Sequence, residues 1–333
     1  MTQVIRWGIL GTGKIAKAFA TALQITPDAQ LVAVASRNSD SATAFAGEFG
    51  AERAHGSYQA LADDAGVDVI YIATPHPMHH ENALMCLNGG KAVLVEKSFT
   101  MNRRQAEDII ALARSKQLFV MEAMWTRFIP AMVEAKRIID SGEIGVPANV
   151  SADFGFTAQF GPEHRVYNPA LGGGALLDLG IYPLSMASFF LGPVTAVQAQ
   201  AEIGATGVDL QTVFTLKHQQ GGVSSCACSL RSRTPTELTI SGSKGFVRLH
   251  DRFHNTSRLS VTLVDGQQRS ERTIELPLSG NGYTHEAQEV GRCLRAGLIE
   301  SPVMPHHETL AIMGTLDQIR QQIGLVYSAD AAN

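Results

Sequence analysis

A glycine-rich turn close to the start of the sequence constrains the fold more than any other stretch. An apolar run typical of a buried strand covers residues 4–10, and a Gly-x-Gly-x-x-Ala pattern follows at Gly11, Gly13 and Ala16. Helix-compatible sequence continues through Leu23. Glycine permits a tight turn and a close approach of phosphate to the backbone, and a small third residue lets the helix pack on the strand. We therefore predict a dinucleotide-binding βα turn, in which the free N–H groups at the helix start face the phosphates. The predicted cofactor-binding residues of this turn are Gly11, Thr12, Gly13, Lys14 and Ile15.

Length and composition restrict the class of protein. The chain has 333 residues, of which 45% are hydrophobic and 17% charged, which favours a globular protein with two domains. The net charge is −4 without long basic or acidic runs, so we expect neither nucleic acid nor a membrane surface as a partner. The first residues lack the layout of a signal peptide, and we expect no membrane-spanning stretch. The four cysteines form no Cys-x-x-Cys, which predicts reduced thiols and a cytoplasmic location.

Strand-like and helix-like segments alternate through the first third of the sequence. After the first strand, buried strands are predicted at residues 30–35, 67–73, 92–95 and 118–121, and helical patterns separate them. Such alternation predicts an α/β fold with a parallel, doubly wound sheet. We assign residues 1–122 to an NADP-binding Rossmann domain.

Three histidines follow one of these strands, at His76, His79 and His80. They lack the spacing of a helical zinc motif and have no cysteine nearby, so we predict no metal site. We expect them to line the cofactor crevice or to cap the helix that follows.

The end of the second strand bears on cofactor preference. A site that prefers NAD places Asp or Glu there, to accept a hydrogen bond from the ribose 2′-hydroxyl. This sequence has Ser36 and Arg37 instead. A hydroxyl and a guanidinium suit a 2′-phosphate, because arginine pairs with it by charge and by directed donors. We therefore predict NADP rather than NAD as the cofactor, with a solvated surface role for Arg37 as the alternative.

From about residue 123 the pattern changes to short strands that follow one another without helices between them. The strand-like runs are 148–156, 194–203, 209–216, 222–230, 237–240, 246–249, 258–264 and 272–276. They predict a C-terminal α+β domain, residues 123–333, with a large, mainly antiparallel, open-faced sheet. Predicted helices at 173–191, 284–296 and 308–323 are too few to cover both faces. We expect a second subunit to bury the other face, which makes the protein a homodimer.

Taken together, the motifs resemble those of the glucose–fructose oxidoreductase/inositol dehydrogenase (Gfo/Idh/MocA) family. The glycine turn comes first, followed by Thr74-Pro75 with His79, and then by Glu96-Lys97. Residues 121–128 (Met-Glu-Ala-Met-Trp-Thr-Arg-Phe) and 172–182 (Gly-Gly-Gly-Ala-Leu-Leu-Asp-Leu-Gly-Ile-Tyr) are most similar to the branch of dimeric dihydrodiol dehydrogenases and NADP-dependent D-xylose dehydrogenases. The resemblance implies NADP(H)-dependent hydride transfer between the nicotinamide and a hydroxyl or carbonyl of a sugar, a related polyol or a trans-dihydrodiol.

The resemblance also implies roles for individual residues. Further cofactor-binding residues are Thr74, Pro75, His76, His79, Glu96 and Lys97. Catalysis is assigned to Lys97, Asp178 and Tyr182, with Tyr182 as the general base. The unperturbed pKa of tyrosine, about 10, is too high for this task near neutrality, so Lys97 is expected to lower it. Asp178 is expected to orient Lys97 or the substrate hydroxyl. The four-residue spacing alone leaves open a core tyrosine beside a solvated aspartate.

Other predictions concern the substrate. The predicted substrate-binding residues are Trp125, Arg127, Phe154, Arg165 and Tyr182. Trp125 and Phe154 suit an apolar wall for a ring-shaped substrate, and core packing is the alternative for both. Arg165 resembles a family arginine near the substrate, and a solvated loop residue is the alternative. One departure is Ser98, which follows Lys97 where the family usually has proline, so the backbone restriction that proline imposes is lost.

Two alternative functions stay open on the sequence. One is a redox-assisted glycosidase of the same family, which keeps its cofactor bound and shows no net reduction. The other is a regulator that binds NADP without turnover. The joint presence of Lys97, Asp178 and Tyr182 argues against the regulator, because a sensor has no use for a proton relay.

Overall fold

The computed structural model describes residues 3–331, which form two compact units. The first unit runs through Trp125 and takes in Ser279–Leu310, and the second comprises Thr126–Leu278 and the chain from Ala311 onward. The predicted division at residue 122 placed 279–310 in the second domain. The structure corrects this assignment, because this segment packs with the first unit.

The first unit contains a six-stranded parallel sheet. Its strands are β1 (Ile5–Leu10), β2 (Ala29–Ala35), β3 (Arg53–His55), β4 (Val69–Ile72), β5 (Ala92–Glu96) and β6 (Val120–Ala123). Their order in the sheet is β3-β2-β1-β4-β5-β6, and every neighbouring pair is parallel. This order is that of a doubly wound Rossmann sheet, which confirms the predicted fold class. The sequence pattern missed β3, because three partly exposed residues at a sheet edge are too few to show an alternation.

Nine α-helices lie among residues 3–331. They are α1 (Lys14–Ile25), α2 (Ser39–Phe49), α3 (Tyr58–Ala62), α4 (His79–Asn88), α5 (Arg103–Lys116), α6 (Pro130–Asp140), α7 (Ile181–Leu191), α8 (Tyr283–Arg295) and α9 (His306–Ile323).

Aromatic packing fixes α1 on the first sheet. Phe19 of α1 stacks on Tyr71 of β4 with ring centroids 3.9 Å apart, and it meets Trp7 of β1 edge-on at 5.2 Å. All three side chains are buried. Pairs of this kind each contribute about 0.5–1.5 kcal/mol beyond their burial. They hold the start of α1, and with it the glycine turn, at the carboxyl end of β1.

Helix α8 packs on α1 in the first unit, not on the second sheet as predicted. Ala287, Val290 and Cys293 form part of its buried side. Just before the helix, the Asn281 side-chain amide donates to the carbonyl oxygen of Ala18 at 2.8 Å. An amphipathic pattern shows that a helix has an apolar side but not which core receives it.

The second unit contains an eight-stranded sheet. Its strands are β7 (Pro147–Gly155), β8 (Val194–Ile203), β9 (Asp209–His218), β10 (Val223–Ser229), β11 (Leu238–Gly242), β12 (Gly245–Leu249), β13 (Arg258–Asp265) and β14 (Gln268–Glu275). Their order is β14-β13-β12-β11-β7-β10-β9-β8, with β7 and β10 parallel and the other neighbours antiparallel. The prediction of a large, mainly antiparallel sheet is confirmed.

Helix α7, which packs on β7 and β10, is the central helix of the second unit. A π-helical turn, Leu176–Gly180, runs directly into it. The stretch Pro169–Leu191 is long and apolar enough to cross a membrane. However, 94% of its most apolar 18-residue part is buried inside the protein. This burial identifies it as a core segment.

The sheet side away from α7 is open. On β9 and β10 the side chains alternate, so that Phe214 and Cys226 are buried while Val213, Thr215, Val223 and Ser225 are exposed. We call the exposed set Val213, Thr215, Val223 and Ser225 the open face.

Candidate active site

The glycine turn at the end of β1 has the shape that a dinucleotide phosphate requires. Gly11 has φ +108°, and a Cβ there would lie 3.0 Å from the carbonyl oxygen of Ala73, so the position demands glycine. Around Gly13, by contrast, a Cβ would meet no heavy atom within 4 Å. Gly13 is also the N-cap of α1, which has no side-chain cap and no acidic residue in its first turn. The amide groups at the start of α1 are therefore available to an anion.

The end of β2 presents the two residues predicted to select the cofactor. Arg37 is exposed, and Ser36 is half-buried. The Ser36 hydroxyl oxygen accepts a hydrogen bond from the backbone of Asn38 at 3.2 Å. The side chain of Asn38 in turn caps α2 by accepting from the amide of Ser41 at 2.9 Å. A short, well-capped loop thus holds Arg37 at the strand end, with its guanidinium in solvent.

The segment after β4 is held by His79, one of the predicted cofactor-binding residues. His79 is fully buried, and its ring nitrogens contact the carbonyl oxygens of Thr74 (2.8 Å) and Ser98 (2.9 Å). Burial lowers the pKa of His79, so a neutral ring donates to one carbonyl at a time. His79 therefore links the loops after β4 and β5. The sequence shows the position of His79 along the chain but not its burial, and its cofactor contact stays a prediction.

The other predicted residues of this loop lie at the carboxyl end of β4. Asn82 donates to the Thr74 hydroxyl at 3.1 Å, and Pro75 precedes the short 3₁₀ turn His76–Met78. His76 is buried and lies edge-on to His79 at 5.7 Å. Within residues 3–331, no group of three or more His, Cys, Asp or Glu side chains is placed to hold a metal ion.

Glu96 and Lys97 stand at the end of β5, where Glu96 is buried and Lys97 half-buried. The Tyr71 hydroxyl donates a hydrogen bond to Glu96, and the pKa of Tyr71 is raised well above its usual range by burial and by the Glu96 charge. Tyr71 therefore stays a proton donor that holds Glu96 in place. Glu286 of α8 is a further buried carboxyl near Glu96, and burial raises its pKa. The sequence did not point to Tyr71 or Glu286, because their link to Glu96 crosses elements distant in the chain.

In the second unit, the glycine triplet brings Arg165 to Asp178. The amides of Gly173 and Gly174 donate to the carbonyl oxygens of Asn168 (3.0 Å) and Val166 (2.9 Å). A Cβ on Gly173 would lie 2.6 Å from the carbonyl oxygen of Arg165, so only glycine lets the two turns pack this closely. As a result, the guanidinium of the exposed Arg165 reaches the buried Asp178 carboxylate at 3.1 Å. The predicted substrate arginine is thus also the charge partner of the predicted catalytic aspartate.

Tyr182 lies in an aromatic cluster four residues beyond Asp178. Its ring centroid is 5.4 Å from that of Phe154 and 5.6 Å from that of His254, and Phe154 and His254 stack on each other at 4.3 Å. Tyr182 is 6% exposed, while Phe154 and His254 are half-buried. The predicted pair of Phe154 and Tyr182 is therefore brought together. Sequence reasoning missed His254, which lies in a 3₁₀ turn between strands with no motif around it.

Two other predicted substrate residues are buried in structural contacts. Trp125 belongs to the first unit, where it stacks on Tyr283 at 4.4 Å. Arg127 is 2% exposed; its guanidinium donates to the hydroxyl (3.0 Å) and carbonyl (2.9 Å) oxygens of Ser185 and lies over the Phe189 ring. These contacts anchor α7 on Arg127, and the substrate contact of Arg127 stays a prediction.

Comparison with known proteins identifies the class of protein. Residues 5–124 match a model of the oxidoreductase family with an NAD-binding Rossmann fold, and the protein is accordingly an NAD(P)-dependent dehydrogenase or reductase. Residues 132–248 match the GFO/IDH/MocA C-terminal domain. The chain thus belongs to the Gfo/Idh/MocA family, as the order of its motifs predicted.

Individual relatives match over nearly their whole length. Trans-1,2-dihydrobenzene-1,2-diol dehydrogenase of Mus musculus is 38% identical over 341 residues, which cover 98% of this chain and 99% of that protein. D-xylose 1-dehydrogenase (NADP(+)) of Hypocrea jecorina is 34% identical, over 97% of this chain and 93% of its own. A solved structure of KijD10, a 3-ketoreductase from Actinomadura kijaniata in complex with NADP and TDP-benzene, is similar with a TM-score of 0.85 and 26% identity, over 96% of this chain and 98% of that one.

Proposed function

We propose that the protein uses NADP(H) to interconvert a hydroxyl and a carbonyl group on a small cyclic substrate, namely a sugar, a related polyol or a trans-dihydrodiol. The arrangement around Tyr182 carries this proposal. A tyrosine there adjoins two aromatic rings, Phe154 and His254, and follows an aspartate held by Arg165. Aromatic rings suit the apolar face of a ring-shaped substrate, and the carboxylate suits its hydroxyl groups. The relatives named for a trans-dihydrodiol and for D-xylose support a substrate of this kind.

The proposed reaction needs a hydride carrier, a proton acceptor and groups that orient the substrate. The bound nicotinamide supplies the hydride chemistry. Tyr182 takes the proton of the substrate hydroxyl during oxidation and returns it during reduction. Asp178 accepts hydrogen bonds from substrate hydroxyls, and its ion pair with Arg165 keeps its carboxylate oriented. Lys97 belongs to the other unit, and its role as the cation that stabilises the tyrosinate is proposed from the resemblance alone.

Preference for NADP(H) is proposed from the end of β2. The chain places an exposed arginine there, Arg37, and no carboxylate between Ala35 and Ser39. A 2′-phosphate gains a charge-assisted contact from this guanidinium, whereas a ribose 2′-hydroxyl finds no carboxylate to donate to. The D-xylose dehydrogenase relative carries NADP(+) in its name, and the 3-ketoreductase structure contains NADP.

A homodimer formed through the open face is also proposed. Val213 and Val223 are 55% and 50% exposed there, beside the short polar side chains of Thr215 and Ser225. Exposed apolar side chains grouped on one surface are typical of sites that a partner buries.

A substrate screen tests the proposed reaction. The purified protein is mixed with NADP⁺ or NAD⁺ and with a panel of aldoses, polyols and trans-dihydrodiols, and reduced cofactor is followed at 340 nm. We expect reduction of NADP⁺ with at least one ring-shaped substrate, and a lower kcat/KM with NAD⁺. Cleavage of glycosides without net reduction would replace the proposal by a redox-assisted glycosidase. No turnover with any member would reject it.

A further inference from the structure

The segment that carries Asp178 and Tyr182 begins with buried backbone amides. Leu176–Gly180 is a π-helical turn, and Ala175 and Leu176 before and within it are fully buried. The first N–H groups of a helical segment have no partner inside the helix, and buried ones need another acceptor. π-Helical turns are also rare and recur at functional sites.

Asp209 supplies that acceptor. It is the first residue of β9 and is fully buried. One oxygen of its carboxylate, Oδ2, accepts from the amide of Leu176 at 2.8 Å and from the Thr212 hydroxyl at 2.7 Å. A side chain thirty-three residues further along the chain therefore caps the segment that bears the proposed proton relay.

The glycine triplet is held from a second side by Tyr327. Its hydroxyl donates to the carbonyl oxygen of Gly173 at 2.5 Å, and its own amide donates to Asp330 at 2.9 Å. Gly174, at φ +122°, lies so close to Asp209 that a Cβ there would be 2.3 Å from Oδ1 of the carboxylate. Asp209 of β9 and Tyr327 of the C-terminal segment thus hold the glycines and the start of the π-helical turn from two sides.

A buried carboxylate is a costly way to cap a helical segment. Serine, threonine and asparagine cap as well as aspartate does, and they carry no charge into the core. A charged acceptor does bind an amide more strongly and at shorter range than a neutral one. From this geometry we infer that Asp209 is a positioning residue for the reaction, which holds the start of the π-helical turn so that Asp178 and Tyr182 keep their places. This inference rests on the proposed function of those two residues.

Protonation of Asp209 should weaken its hydrogen bond with the Leu176 amide, and it should do so within a pH range in which activity can be assayed. Burial raises the pKa of Asp209 to about 6, against the bonds from Thr212 and Leu176, which lower it. Two titratable groups that interact with it are Cys228 of β10 and Tyr327 of the C-terminal segment; burial raises the pKa of both, so both are neutral here. The guanidinium of Arg320 of α9 lies over the Tyr327 ring and is paired with Asp317 and Asp330. Asp209 is therefore the member of this group that changes charge near pH 6.

Two conservative variants test the inference by the pH dependence of kcat. The wild-type kcat should fall on the acid side with an apparent pKa near 6, the value for Asp209. Asp209→Asn, which keeps an acceptor oxygen but no charge, should lose this acid limb and have a plateau lowered by ~10-fold, the scale of small misplacements of catalytic groups. Thr212→Val should move the limb to higher pH, because the Thr212 hydrogen bond lowers the pKa of Asp209. An acid limb unchanged in both variants would overturn the inference.

Stability separates positioning from a general loss of structure. Because the pKa of Asp209 in the fold lies above its value in the unfolded chain, its contribution to stability is greatest below pH 4 and is lost as pH rises toward 6. Asp209→Asn should therefore unfold at no lower temperature than the wild type at pH 8, although its kcat is reduced. A large fall in unfolding temperature at pH 8 would show a merely structural role.

Hydrogen exchange provides a readout that needs no substrate. The Leu176 amide should exchange faster in Asp209→Asn than in the wild type at pH 8, because its acceptor is weaker. Faster exchange in a protein that turns over no substrate would reject the proposed function and leave the capping contact standing. An active enzyme with unchanged exchange and an unchanged acid limb would reject the inference about Asp209 alone.

Discussion

Replacing Gly13 with alanine should weaken cofactor binding while leaving the fold intact. Gly13 has φ −74° and ψ −177°, which any residue adopts, and a Cβ there meets no heavy atom within 4 Å. Alanine stabilises such a position by about 0.4–1 kcal/mol through the unfolded chain. It is also a poorer N-cap than glycine, by roughly the same amount. The two effects nearly cancel, so the unfolding temperature should change by less than about 3 °C.

The affinity should respond because the space beside Gly13 is where the phosphates approach α1. A methyl group there pushes a phosphate away from the amides at the start of the helix. Loss of one charge-assisted hydrogen bond costs about 1.5–3 kcal/mol. The Kd for NADP⁺ should therefore rise roughly 10- to 100-fold.

Gly11→Ala is the matched control, two residues away in the same turn. Its φ of +108° strains an alanine, and the new Cβ would lie 3.0 Å from the Ala73 carbonyl oxygen. We expect this variant to lose about 1–3 kcal/mol of stability, and several degrees of unfolding temperature with it.

Calorimetric titration with NADP⁺ and thermal unfolding of the two variants check the reasoning together. The refuting results are an affinity of Gly13→Ala within twofold of the wild type, or a thermal destabilisation as large as that of Gly11→Ala. The first would show that no phosphate approaches Gly13, and the second that the fold itself requires glycine there.

Three further predictions concern preference, catalysis and assembly. Arg37→Ala should weaken NADP⁺ binding by about 1–3 kcal/mol and barely change NAD⁺ binding; equal wild-type affinity for both cofactors in titrations would contradict an NADP preference. Tyr182→Phe should lower kcat ~10²–10⁴-fold. Its cofactor affinity should persist, since the phosphate turn belongs to the other unit, and a near-normal kcat on the substrate found in the screen would remove Tyr182 as the base. Val213→Arg places a charge on the open face and should convert a dimer into a monomer in sedimentation velocity, whereas a wild-type monomer at micromolar concentration would reject the dimer.

The first unit could be predicted closely because its determinants are local. The strand, the glycine turn and the helix of the phosphate site are neighbours in sequence, and parallel strands joined by helices have few allowed arrangements. The glycine spacing therefore located the turn to single residues. The strands of the second unit could also be placed, but the parallel pairing of β7 with β10 and the strand order depend on contacts between distant segments.

The partners of the functional residues were decided only by tertiary structure. Arg165 pairs with Asp178 because backbone contacts of Gly173 bring two turns together, and His79 is buried between the carbonyl oxygens of Thr74 and Ser98. The position of α8 on α1 and the cap that Asp209 provides are of the same kind. Periodicity and motif spacing report which side of an element is apolar and which residue types recur. They do not report which distant element fills the facing space, because that choice is made by the simultaneous packing of the whole core.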